Sequence, residues 1–123
     1  MALRDAAERH VLIVDNDPGA ASQLAARLAL HMIRTHVLSS GLDALDALHR
    51  ADYDAMVVRF RLSDMRADLL VLVALALQPH LERRTVLLMT EAPPSDITST
   101  VVRLPCDVAM IEQAVLAALG ERS

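Results

Sequence analysis

Three apolar runs without alternation limit this chain more than any other feature: Val11-Leu12-Ile13-Val14, Ala55-Met56-Val57-Val58 and Thr85-Val86-Leu87-Leu88-Met89. A strand with water on one face alternates polar and apolar residues, whereas these runs have the pattern of strands covered on both faces. Shorter strands are expected around 34–38 and 100–103. Helical segments fall between them: Pro18 to about His31, Leu42 to about Ala51, about Ala67 to Gln78, and Asp107 through Leu119. Strand and helix in strict alternation require parallel β-α-β units, and right-handed crossovers order five such strands 2-1-3-4-5. The expected fold is α/β, a flavodoxin-like three-layer α/β/α sandwich on a five-stranded parallel sheet.

Local signals support this division. Asp17 is placed to cap the first helix, with Pro18 at the position where a missing N–H costs nothing. Ala21, Leu24, Ala25, Leu28 and Leu30 supply its apolar side. Leu42, Leu45 and Leu48 mark the second helix, and Val108, Ile111, Val115 and Leu119 the last, with Asp107 as its cap. Glu91-Ala92-Pro93-Pro94 cannot be helix, because neither proline donates and each disfavours a helical residue before it.

The 123 residues fit a single domain, 1–123, with 1–9 as an N-terminal extension. Aromatic residues make up 2% of the chain, so Leu, Val, Ala and Met must fill the core. A net charge of −4, with no basic run and no aromatic pair for stacking, argues against direct nucleic-acid binding. The longest apolar run, 69–77, is far short of the roughly 20 residues that span a bilayer. One cysteine, Cys106, has no internal partner, which suits a reducing cytoplasm. A soluble cytoplasmic protein is expected.

In a sheet of this order, ligands bind at the carboxyl ends of the strands, near the switch point between the first and third. Asp15, Asn16, Asp17, Arg59 and Thr90 are therefore expected around one crevice.

Val11-Leu12-Ile13-Val14-Asp15-Asn16-Asp17-Pro18 resembles the opening of response-regulator receiver (CheY-like) domains, and Tyr53 through Met65 resembles their central strand and following loop. The similarity covers nearly the whole chain, and the two segments together are specific. It implies a site made of two acidic residues and an acceptor aspartate around Mg²⁺, with a hydroxyl and a lysine holding the phosphoryl oxygens. Asp15 matches the first acidic position and Thr90 the hydroxyl. Asn16, a neutral amide, falls on the second acidic position. Arg59 falls on the phosphoacceptor, and a guanidinium is always protonated and no nucleophile here. Leu104 stands where the family has its lysine, and Val101 where it has an aromatic switch residue. The resemblance is thus to a degenerate pseudo-receiver without an acceptor aspartate, and neither catalysis nor a cofactor or metal is expected. Arg59 is expected to pair with a carboxylate in place of the metal.

From Thr90 to Leu104 there are 104 − 90 = 14 positions, fewer than the family usually has, so the helix between the last two strands is missing or replaced by a short loop. Its loss should uncover apolar strand surface. The preceding helix has no polar residue from 69 to 77. If Leu70, Val73 and Leu77 face the sheet, then Val71, Leu72 and Leu75 point elsewhere, as an interface would. The expected role is a phosphorylation-independent interaction module of two-component-type bacterial signalling, joined to a protein partner or to itself as a homodimer through this helix and the gap beside it. The alternative expectation is a sensor of a small anion or nucleotide in the crevice of Arg59 and Thr90, a charge arrangement suited to phosphate. His10, His31, His36, His49 and His80 have no spacing that builds a metal site on one helix, and Cys106 is expected to be structural.

Overall fold

Each apolar run becomes an inner strand, sealed on both sides because its alternate residues feed two separate apolar layers. The computed structural model describes residues 8–94, 97 and 99–120. Its sheet holds β1 (Arg9–Val14), β2 (Ile33–Leu38), β3 (Ala55–Arg59), β4 (Thr85–Met89) and β5 (Thr100–Arg103). Every pairing is parallel and the order is β2-β1-β3-β4-β5, as the alternation and crossover rule require. Residues 1–7 of the expected N-terminal extension lie outside the described residues, and Arg9 already belongs to β1.

Leu12, Val14, Met56, Val58, Leu87 and Met89 face one layer, closed by α2 (Gly41–Arg50) and α3 (Ala67–Leu77). Val11, Ile13, Ala55, Val57, Val86 and Leu88 face the other, closed by α1 (Pro18–Ala29) and α4 (Val108–Ala118). Both aromatic residues, Tyr53 and Phe60, are buried in the first layer; the second is aliphatic. The Asp17 carboxylate accepts the Ala20 N–H at 3.1 Å and caps α1, with Pro18 in its first turn. Among the described residues, no helix is long and apolar enough to cross a membrane.

Several expectations based on spacing need correction. Leu30 is 77% exposed because α1 ends at Ala29, and a residue two places past Leu28 points away from the buried stripe. Leu42 is also exposed, and α2 buries Ala44, Ala47 and Leu48 instead. Asp107 sits at the start of α4 with extended backbone, but its side chain makes no capping hydrogen bond. A short 3₁₀ helix, Pro79–Arg83, follows α3 and was not anticipated. In α3 the face on the sheet is Ala67, Leu70 and Ala74; Val73 and Leu77 are only half-buried. Small residues at 67 and 74 let the helix approach the strands closely.

The described residues of 91–99 carry no helix, as the two prolines require. The expected uncovering of strand surface does not follow, however. Leu87 and Met89 stay buried, because Ile97 packs down onto the same layer together with Val71 and Leu75 of α3.

Candidate functional site

Asp15 follows β1, Arg59 ends β3, Thr90 follows β4 and Leu104 follows β5, so the parallel sheet delivers all four to its carboxyl edge. Asp15 is 3% exposed and has both oxygens engaged. Its Oδ1 accepts Arg59 Nε at 2.5 Å and the Asp17 N–H at 2.9 Å, while its Oδ2 accepts Arg59 Nη2 at 3.1 Å. This is a bidentate guanidinium–carboxylate pair, the geometry that gives such pairs both strength and direction. The Asp15 hydrogen bond, helped by the nearby charges of Asp15 and Asp17 and opposed by burial, holds the Arg59 guanidinium above its ordinary proton affinity. Asp17 is occupied as the α1 cap, and Asn16 is exposed.

These residues do not fit a Mg²⁺ ion. The metal needs near-octahedral oxygen ligands carrying negative charge. Here the buried carboxylate is bound on both oxygens by a fixed cation, the Arg59 guanidinium. Among the described residues, no three His, Cys, Asp or Glu side chains converge as a ligand set. Asp54 lies far from this site: its Oδ2 takes the His10 N–H at 2.8 Å, beside the start of β1 at the opposite end of the sheet.

Around this pair the other charges are also satisfied. Arg61 binds Glu91 through Nε at 3.0 Å and Nη2 at 2.5 Å. Arg61 and then Thr90, whose hydroxyl donates to Glu91 at 3.2 Å, hold the Glu91 carboxyl below the usual carboxylate range. Arg103 donates to the Thr90 carbonyl. Arg59, Arg61, Thr90 and Glu91 enclose only about 60 Å³, room for roughly two waters. Leu104, following β5, packs into the layer under α1 and α4, and its peptide bond to Pro105 is cis. Val101 turns the other way, into the layer under α2 and α3.

The loop after β3 is pinned to the neighbouring helix. Asp64 accepts the Gly41 and Leu42 N–H groups, both at 2.9 Å, and these bonds lower its pKa. Met65 lies so close to Gly41 that an added Cβ would come within 2.5 Å of it. Beyond the loop, α3 and the described residues after β4 leave a groove of about 440 Å³ lined by Val71, Leu72, Leu75, Leu87, Pro94 and Ile97, with Arg66, Asp68 and Ser99 as its polar residues. Of the three residues expected to point away from the sheet, Leu72 is 69% exposed, whereas Val71 and Leu75 are half-buried in the groove wall.

Two polar clusters were not anticipated. Glu112, buried on α4, accepts Arg27 Nε at 2.9 Å and pairs with His31 at 2.6 Å, clamping α4 to α1. Its signal was a charged residue beside Ile111 on the apolar face of a helix, with Arg27 in the last turn of another and His31 just past its end. The second is centred on Tyr53, whose hydroxyl meets His36 Nδ1 at 2.7 Å and whose carbonyl meets His80 Nε2 at 2.7 Å. No spacing rule connects residues from three separate segments.

The fold is that of receiver domains. One such structure is a CheY-like response regulator receiver domain protein from Methanospirillum hungatei JF-1, with TM-score 0.81 at 14% identity, covering 91% of this chain and 94% of that one. Another is a response regulator receiver protein from Sinorhizobium medicae WSM419, with TM-score 0.81 at 20% identity, covering 94% and 98%. A third is the receiver domain of a sensor histidine kinase from Pseudomonas aeruginosa PAO1, which holds a magnesium ion in its active-site cleft; it gives TM-score 0.75 at 18% identity, covering 94% and 100%. No protein-family model matches the sequence, and no curated protein does.

Proposed function

We propose that this chain is a pseudo-receiver: a module of two-component-type signal transduction that works by presenting a surface to a protein partner or to a second copy, independently of phosphorylation and without catalysis. One observation carries the reading, the bidentate pair of Arg59 with the buried Asp15. The guanidinium takes the place of the acceptor carboxylate and also supplies the positive charge that a divalent ion would otherwise bring. With Asn16 unable to replace a ligand charge and Leu104 committed to the core, neither the metal nor a phosphoryl group has a set of partners here. The crevice then rests in one state that no phosphodonor changes.

The test is a titration of the ¹⁵N-labelled protein with Mg²⁺ and beryllofluoride, following the amides of residues 15–17 and 90. Those resonances are expected to stay in place; saturable shifts would overturn the reading. The anion-sensor alternative has less support, because Arg59 and Arg61 are each spent on a carboxylate and the space beside them is small. A thermal-shift screen with nucleotides and phosphates is expected to show no rise in melting temperature.

A further inference from the structure

We propose that the side chains around Tyr53 form a pH-sensitive latch on the edge strand β2: neutral, they tie β2 across the sheet, and proton uptake at His10 releases it. The latch lies at the opposite end of the sheet from Asp15 and Arg59 and does not depend on the reading of that site.

Tyr53 is the fixed post of the arrangement. It is buried, its N–H is accepted by Gln78 at 3.0 Å, and its carbonyl takes the His80 Nε2 donor of the 3₁₀ helix at 2.7 Å. Its ring meets that of His10 on β1 with centroids 4.7 Å apart and that of His36 on β2 at 6.1 Å. Its hydroxyl lies 2.7 Å from His36 Nδ1. Strand β2 pairs with β1 alone, so this last contact reaches across β1 and ties the edge strand to the segment before β3. His36 is the movable partner, and His10 sits between it and the post.

A proton added here has little to compensate it. Arg34 stands beside His10 in the register of β1 with β2, and its own partner is Glu8 at 3.9 Å. Asp54 is the carboxylate nearest His10, but its Oδ2 is occupied by the His10 backbone N–H at 2.8 Å. Helix α2, which closes the same layer, turns Asp46, His49 and Arg50 to solvent. Burial first, then the charges of Arg34 and His36, hold the His10 pKa below its ordinary 6.5, with Asp54 opposing them. His36 adds a directional constraint. Its neutral ring can accept the Tyr53 O–H at Nδ1, whereas a protonated ring can only donate there, leaving the buried hydroxyl proton without that acceptor. The released form, with its rings in water, therefore binds the proton more tightly than the latched form, and acid favours release. The latch's contribution is complete above the ordinary value. It declines as pH falls below that value and levels off once the latched form is protonated as well.

A titration of the ¹⁵N-labelled chain from about pH 7.5 to about pH 5.5 tests this, the range in which an imidazole changes charge. Tyrosine emission is followed in parallel; the chain has one tyrosine and no tryptophan, so the emission reports on this cluster. The amides of 33–38 and the Tyr53 emission are expected to change together, while the amides of 85–89 in β4 stay in place. The folding equilibrium constant, from urea midpoints, is expected to fall over the same range, by at most about tenfold per pH unit for one excluded proton. His10→Phe keeps a ring against Tyr53 and takes no proton, so it is expected to abolish these changes, and His10→Gln to abolish them without the ring. His49→Gln, at an exposed histidine of α2, is expected to respond as the parent does. Stability that is constant over the range, changes that extend equally to β4, or a response that survives both His10 variants overturns the proposal.

Discussion

Among the described residues, Arg59 and Asp15 form an ion pair whose members are each hard to keep without the other. Asp15 is 3% exposed and Arg59's side chain 21%, so removing the guanidinium leaves a carboxylate with little water and a single remaining backbone donor. Such a broken pair typically costs about 3–5 kcal/mol, whereas replacing both partners by apolar residues is often neutral. Arg59→Ala is therefore expected to lower stability in urea by about 3 kcal/mol, and Arg59→Leu with Asp15→Leu to return most of it. Equal losses in the single and double variants would show that the pair is incidental to the fold. This contact was legible in the residues, because strand ends in a parallel sheet converge and a cation among three polar neighbours has few places to go. The Glu91 partner of Arg61 was not, since it depends on the path of a loop that no periodicity describes.

At the level of elements, the sequence fixes periods better than ends. Three residues past the end of α1, Met32 has φ 63, a left-handed conformation in which an exposed methionine has no compensating contact to gain. Met32→Gly is expected to raise stability by about 1 kcal/mol, read from the urea midpoint. The docking of α1 on α4 has a pH dependence of known sign. Hydrogen bonds from His31 first and Arg27 second depress the Glu112 pKa below its ordinary 4.5. A depressed carboxylate contributes stability that is present above the ordinary value and lost as pH falls through the depressed one. Urea midpoints of the parent should thus drop steeply below about pH 4.5, and those of Glu112→Gln should fall less over the same range. Parallel acid limbs for the two proteins would place the acid sensitivity elsewhere. Such a clamp is hard to read from one chain, because each of its three residues is unremarkable in its own segment and only the packing of α1 and the turn after it on α4 joins them.

At the scale of the whole molecule, the layers followed from burial, since a strand apolar on both faces must have a layer on each side, and the strand order from the alternation of strand and helix with right-handed crossovers. The surface left by a missing helix did not follow, because whether a short segment refills the gap depends on where one residue, Ile97, comes down. On the proposed reading the same distinction governs the site, with fold and chemistry separating at Arg59. Arg59→Asp would place a third carboxylate beside Asp15 and Asp17 at the sheet's carboxyl edge, with no cation among them. Without metal, that variant should melt well below the parent, since like charges in a part-buried site repel and one partner of a buried pair is gone. Mg²⁺ should then restore part of the loss. At ten times its dissociation constant a ligand adds RT ln 11, about 1.4 kcal/mol, which for a domain of this size raises the melting temperature by about 5 °C. The parent should show no such rise. If Arg59→Asp also ignores Mg²⁺, the loss of charge at Asn16 has closed the metal site by itself, and the guanidinium is a consequence of that loss rather than its cause.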